Sequence, residues 1–148
     1  MAAKFEGAGS GGASAGAGGR GEQRSPIVWQ VLSAFLLLAM GGIHLFLVFQ
    51  WAGGLLGVLF VLNAIGGLVL AIAMLATRRR LLRLASLLSL VFMAGTLLAL
   101  VLALTVGLFG IRETLDFQLV PTTLVVESVG TVVLAVTTAI AFRARRAT

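Results

Sequence analysis

Four long apolar runs account for most of this 148-residue chain. We place them at residues 27–49, 55–76, 84–108 and 119–142. Each run exceeds the roughly 20 residues that a helix rising about 1.5 Å per residue needs to cross a hydrocarbon core about 30 Å thick. None of the runs alternates apolar and polar residues with a period of two, so strands are not indicated. Because the links between the runs are short, the sequence predicts an all-α fold, an antiparallel bundle of four transmembrane helices.

The overall composition also indicates a lipid environment. Hydrophobic residues make up 59% of the chain and charged residues only 11%, which is too little charge for the surface of a soluble domain. The net charge of +6 and the isoelectric point near 11.8 would also suit a nucleic-acid-binding protein. The basic residues flank the apolar runs, however, and no basic stripe is interleaved with aromatic residues, so we expect no nucleic-acid partner.

The basic residues are distributed unevenly between the two ends of the predicted bundle. Arg112 lies at one end, beside Glu113 and Asp116. Because basic residues are retained in the cytosol, the distribution predicts a multi-pass protein of the cell (plasma) membrane with both termini cytosolic. The basic residues at the other end are Lys4, Arg20, Arg24, Arg78, Arg79, Arg80, Arg83, Arg143, Arg145 and Arg146. The arginines expected to contact anionic lipid headgroups are Arg78, Arg79, Arg80, Arg83, Arg143, Arg145 and Arg146.

Residues 1–24 differ from the rest of the chain in composition. They are mostly Gly, Ala and Ser, with little to bury in return for the entropy of ordering, and we interpret them as a disordered cytosolic tail. A signal peptide is the alternative, although the apolar run that follows is longer than a typical cleavable segment. The four-helix membrane domain then covers residues 25–146, with Ser25-Pro26 as a helix start, and residues 147–148 form a short tail.

Helix two carries small residues on one face, at three- and four-residue spacing. Helices in a bilayer associate by close packing, so such a stripe predicts a helix-packing groove. The groove consists of Gly53, Gly57, Ala64, Gly67 and Ala71.

Helix three carries hydroxyl groups along one stripe, at Ser86, Ser89 and Thr96. Such hydroxyls bond back to carbonyls one turn earlier or across to a neighbouring helix. The alternative interpretation is a polar pathway through the membrane.

Three further polar residues lie within the apolar runs, namely His44, Asn63 and Glu127. Counted along their helices, all three fall in the outer half of the predicted bundle, where they form a candidate intramembrane polar cluster. A carboxyl group is costly in lipid, so we expect Glu127 to be protonated or paired. It is either a proton carrier or a contact for a cation or polar ligand, or else it forms a buried hydrogen bond with His44 or Asn63.

The chain lacks the residues that common enzymatic and metal sites require. It has no cysteine, which excludes thiol and disulfide chemistry. Its single histidine cannot supply the two or three ligands that a metal site needs, or both axial ligands of a haem. We interpret Glu113 and Asp116 on the third link as a solvated cap. We therefore predict no catalytic residue, no metal, no cofactor and no enzymatic activity.

Several segments resemble a known group of proteins. They are G-G-I-H-L at 41–45, L-G-V-L-F-V-L-N-A at 56–64, the triple arginine at 78–80 and V-P-T-T-L-V-V-E-S-V-G at 120–130. These resemble the small four-helix integral membrane proteins of high-GC actinobacteria, and the layout of this chain is similar, to a lesser degree, to that of DoxX-like proteins. The resemblance covers about residues 27–146, and it implies a fold rather than a reaction. Small multidrug transporters also have four helices, but their essential glutamate lies in the first helix. Here the glutamate, Glu127, lies in the fourth, so their function is not carried over to this chain.

Two functions are compatible with these features. The first is a non-enzymatic accessory or scaffold subunit, with the helix-two groove as the contact for another membrane protein or for a second copy of this chain. The alternative is a small proton-coupled transporter or channel-like oligomer that uses Glu127 and His44.

Overall fold

The computed structural model is helical over most of the part of the chain that it describes. The described residues are 19–51, 54–77, 79–108, 110 and 112–144. Side chains are described for the same residues except 19–26, 51, 79 and 80. Residues 1–18 of the predicted tail and the predicted tail at 147–148 therefore lie outside the described residues.

The described part of the chain forms four helices. They are α1 (Gly19–Trp51), α2 (Gly54–Ala76), α3 (Arg79–Thr105) and α4 (Val120–Arg143). Each is long and apolar enough to cross a membrane, as expected of a multi-pass membrane protein. The prediction of an all-α fold with four such helices is confirmed.

Two of the helices begin several residues earlier than predicted. Helix α1 begins at Gly19 rather than near residue 27, so residues 19–24, assigned above to the tail, are helical. Helix α3 begins at Arg79 rather than 84. In both places the added residues include Arg, Glu, Gln or Leu, which have high helix propensity although several are not apolar. Apolar residues mark the part of a helix that is suited to lipid. They do not mark the ends of the helix, which can extend into polar residues on either side.

Helix α3 also ends earlier than predicted, at Thr105 instead of residue 108. Gly107 has a φ of 86°, and its N–H donates to the carbonyl of Leu102 at 2.8 Å. A left-handed glycine with this hydrogen bond is a common helix terminator. The chain then continues as the α3–α4 loop, residues 106–119.

The helices pack as a ring in the order α1, α2, α3, α4, and α4 closes the ring against α1. The interface between α1 and α2 is the most extensive, and that between α2 and α3 is the least. The end of α1, the start of α2 and the α3–α4 loop lie at one end of the bundle, which we call the loop end. The end of α2, the start of α3, the first residues of α1 and the last residues of α4 lie at the other, which we call the termini end.

The predicted helix-two groove is occupied by α1. A Cβ atom added to Gly67 would lie 2.8 Å from the Leu37 carbonyl oxygen and 3.3 Å from the Gly41 Cα. One added to Gly41 would lie 3.3 Å from the carbonyl oxygen of Ala64. Ala71 is buried farther along the same face, Gly57 is half-buried nearer the loop end, and Gly53 lies outside the described residues.

A layer of fully buried apolar side chains fills the middle of the bundle. Its members come from α1, α3 and α4 and are Leu37, Met40, Met93 and Leu134. Gly130 of α4 makes room for one of them, because a Cβ there would lie 2.8 Å from Met93 Cε. We call these four residues the apolar layer. Met74 of α2 is also fully buried, but it lies near the termini end of the bundle.

Polar side chains on the termini side of the apolar layer join helices to one another. Ser33 of α1 and Thr137 of α4 are hydrogen-bonded at 2.8 Å. The Gln30 side chain donates to the Met74 carbonyl oxygen, which connects α1 to α2.

Among the predicted headgroup contacts, the side chain of Arg83 is half-buried and that of Arg143 is exposed. The predicted contacts whose side chains lie outside the described part are Arg78, Arg79, Arg80, Arg145 and Arg146.

Substituting Gly67 tests the α1–α2 contact. Gly67→Ala places a methyl group against the α1 backbone, which cannot yield as a side chain would, so we expect the free energy of unfolding to fall by about 1–3 kcal/mol. Gly42→Ala is the matched control, because a Cβ at Gly42 meets nothing within 4 Å. Unfolding of both variants in detergent, followed by circular dichroism, measures the difference. Equal stability of the two would contradict the packing described.

Candidate functional site

A partly enclosed cavity of about 120 Å³ lies between the four helices on the loop side of the apolar layer. All three residues of the predicted polar cluster, His44, Asn63 and Glu127, line it. They come from α1, α2 and α4, and α3 contributes Thr96. The structure thus brings the three residues to one cavity from separate helices.

Glu127 lies against the inner wall of the cavity, two turns into α4. It is only 1% exposed, and its Oε2 atom has no hydrogen-bond partner. The carboxyl group is within hydrogen-bonding reach of the Thr96 hydroxyl, which itself donates to the Met93 carbonyl oxygen at 2.8 Å. A buried carboxyl oxygen without a partner is destabilising, so the residue does not look like a structural cross-link.

His44 is held in place by its own helix and by α2. Its Nδ1 atom lies 2.9 Å from the Met40 carbonyl oxygen one turn earlier. Because a carbonyl can only accept, Nδ1 carries the proton of this bond, and in the neutral ring Nε2 is then an acceptor. The ring packs edge-on against Phe60, with centroids 5.4 Å apart and planes at 72°.

No hydrogen bond joins His44, Asn63 and Glu127 to one another among the described side chains. The interpretation of Glu127 as a buried hydrogen-bond partner of His44 or Asn63 is therefore wrong for this structure. The three side chains line the same cavity, and its space lies between them. Groups that face a common space can contact the same small molecule, whereas groups already bonded to each other cannot do so freely.

The α3–α4 loop covers the loop end of the cavity. Glu113, Phe117 and Gln118 contribute to the lining, and the Glu113 N–H donates to the Ala103 carbonyl oxygen at 3.1 Å, which holds the loop back against α3. Glu113, interpreted above as part of a solvated cap with Asp116, is half-buried at the cavity. Asp116 is exposed and does not line it.

Sequence reasoning also missed the contribution of α4's first turn. Leu119, just before the helix, has a left-handed backbone with φ of 68°. Its carbonyl oxygen accepts from both the N–H and the hydroxyl of Thr123, each at 2.8 Å. A non-glycine residue at positive φ has no reliable sequence signal. This turn directs α4 so that Thr123 and Glu127, four residues apart, face the cavity together.

The three hydroxyl residues of α3 were interpreted above either as hydrogen-bonded within the bundle or as a polar pathway, and they do not all behave alike. Ser86 donates to the Arg83 carbonyl oxygen at 3.0 Å, and Thr96 bonds back to its own helix in the same manner, so these two are local hydrogen bonds. The hydroxyl of Ser89 is fully buried and has no partner. Only Thr96 lines the cavity, so the stripe is not a continuous lining.

Comparison of the chain with known protein families, with curated proteins and with solved structures finds no match. The resemblance to small actinobacterial four-helix membrane proteins therefore stays a prediction. Any argument about function depends on the site itself.

The unpartnered carboxyl group gives a test of the site. Glu127→Met removes a buried oxygen that lacks a hydrogen bond while keeping a similar length, so we expect the free energy of unfolding to rise by about 1–3 kcal/mol. Ser33→Ala, which breaks the bond to Thr137, should lower it by about 0.5–1.5 kcal/mol. Thermal unfolding of both variants in detergent provides the comparison. If Glu127→Met destabilises the protein as Ser33→Ala does, the carboxyl group has a structural role.

Proposed function

We propose that this protein is a small proton-coupled transporter, acting alone or as a channel-like oligomer, in which Glu127 binds the proton and His44 assists. The observation that carries the proposal is the position of Glu127, a carboxyl buried among apolar helices that borders the cavity and has one oxygen without a hydrogen-bond partner. Ionisable groups at membrane depth are costly and are generally retained for a task. Two groups of the cavity that exchange protons readily, the Glu127 carboxyl and the His44 imidazole, lie on the neighbouring helices α4 and α1.

The accessory or scaffold function has less support. Its contact surface was to be the helix-two groove, and α1 fills that groove at Ala64 and Gly67. A scaffold would also gain nothing from a buried carboxyl group without a partner, since an apolar residue would pack there at no such cost. The scaffold function is the alternative that the flux experiment below would support if Glu127→Gln left transport unchanged.

The apolar layer is consistent with a transporter rather than an open pore. The cavity lies on one side of the layer, and the hydrogen-bonded pair Ser33 and Thr137 lies on the other. A proton or solute at Glu127 is therefore separated from the termini end, and its passage requires the layer to part. Two of the blocking side chains, Met40 and Met93, are unbranched and adaptable, and their carbonyl groups hold His44 and Thr96 at the cavity.

We further propose that the bundle lies in the cell membrane with both termini in the cytosol, which makes the cavity face the outside. The support is the concentration of arginines at the termini end.

The proposed orientation predicts which end of the bundle reacts with external reagents. Because the chain has no cysteine, a cysteine introduced at one position is the sole target of a maleimide. Asp116→Cys at the exposed loop should react with a membrane-impermeant maleimide added to intact cells, and Ala144→Cys, exposed at the termini end, should react only after lysis. The reverse pattern would overturn the orientation.

The transport proposal predicts loss of proton movement on neutralising Glu127. Vesicles reconstituted with the full chain and an entrapped pH-sensitive dye should take up protons under an imposed pH gradient, and Glu127→Gln should reduce the rate to that of empty vesicles. Asp116→Asn is the matched control, since it makes the same acid-to-amide change on an exposed residue outside the cavity, and its rate should equal the wild-type rate. If Glu127→Gln is folded and transports normally, the proposal fails and the scaffold function gains support.

A further inference from the structure

We infer that the cavity binds a small lipophilic amine, about the size of one substituted aromatic ring, with its ammonium group against the Glu127 carboxyl. This inference rests on the proposed role of Glu127 as the binding group and names the class of substrate that it would take. Three features of the cavity carry it, namely the sign of its charges, its size and its position in the bundle.

The charged groups of the cavity favour a cation. Two carboxyl groups line it, Glu127 at the inner wall and Glu113 under the loop, and no lysine or arginine does among the described residues. The remaining titratable group is His44 on α1, and the cavity residues of α2 and α3 carry no titratable side chain. Oε2 of Glu127 is buried behind the cavity wall and has no partner, so a rotation of the side chain lets an ammonium group in the cavity donate to the carboxyl and satisfy it. The bound ammonium and carboxylate together have no net charge, which lowers the cost of holding them in an apolar bundle.

The rest of the lining fits an apolar body of limited size. Apolar side chains supply most of the remaining wall: Leu47, Leu56, Leu59, Phe60, Ala99, Leu100, Leu108, Phe117 and Val120. An apolar cavity of about 150 Å³ is known to hold a benzene molecule, and this one is about 120 Å³. A single ring therefore fills it, while Asn63 and Thr96 remain near the polar end of such a ligand. The ring of Phe60 adds a face with which an ammonium group can interact favourably.

The position of the cavity suits a ligand that dissolves in lipid. Residues of α2 and α3, which pack together least of the four neighbouring pairs, form part of its lining. Near the middle of the bundle the Phe92 side chain of α3 lies against Gly66 of α2, where an added Cβ would be 2.6 Å from the ring. Toward the loop end the residues of α2 and α3 line the cavity instead of packing on each other. An amine concentrated in the bilayer can approach from this side as well as from the loop.

Equilibrium binding tests the inference without relying on transport. The full chain in lipid nanodiscs is titrated with 4-fluorobenzylamine and, separately, with 4-fluorobenzyl alcohol, and binding above that of empty nanodiscs is followed by fluorine NMR. We expect saturable binding of the amine, at least about tenfold weaker in Glu127→Gln because the charge-assisted hydrogen bond is lost. The alcohol, which has the same ring and no positive charge, should bind weakly, and Glu127→Gln should not change its affinity.

Two further variants keep the test decisive. Ala99→Phe adds a ring to the cavity wall without altering a charge and should abolish amine binding even if Glu127→Gln is poorly folded. Asp116→Asn lies outside the cavity and should bind the amine as wild type does. Equal affinity for amine and alcohol, or unchanged amine binding in Ala99→Phe, would overturn the inference. Amine binding without any proton flux would uphold this site and remove the transport function, whereas Glu127-dependent flux without amine binding would do the opposite.

Discussion

The bundle depends on the close backbone contact between α1 and α2 at Gly41 and Gly67. Apolar side chains give little preference for a neighbouring helix over lipid, so helices in a membrane are held together largely by how closely their backbones can pack. The two glycines remove the atoms that would keep the helices apart. With α1 and α2 fixed as a pair, α4 closes against α1 and α3 against α4, and the cavity forms between the four helices on the loop side of the apolar layer.

The parts of the fold that follow from the chemistry of lipid could be predicted from the sequence. Four runs of apolar residues required four helices, and the small residues of α2 indicated a packing face. The depth of His44, Asn63 and Glu127 along their helices placed all three in the same half of the predicted bundle. Their common cavity depends in addition on how each helix is rotated about its axis, which a count along the chain does not fix. The small-residue face indicated that a neighbour packs there but not that the neighbour is α1 of the same chain.

Other features had no usable sequence signal. Gly107 ends α3, yet within an apolar run it looked like one more small residue of a transmembrane helix. The turn at Leu119 uses a backbone conformation that leucine rarely adopts, and it sets the direction in which α4 presents Thr123 and Glu127. Glu113 looked like an ordinary loop acid, and only the folding of the loop against Ala103 brings it to the cavity. Loop conformation, unlike helix formation, is decided by contacts between distant residues.

The depth of Glu127 has an electrical consequence. It lies seven residues after Val120, the first residue of α4, which is about 10 Å along the helix and so about a third of a hydrocarbon core about 30 Å thick. In an energised bilayer, a charge that reaches this point from the loop end crosses a similar share of the transmembrane voltage. Each 100 mV then changes its free energy by about 0.8 kcal/mol, given about 2.3 kcal/mol for a full crossing. The fraction of Glu127 carboxyl groups that hold a cation therefore depends on the membrane potential, because of the depth at which the residue lies along α4.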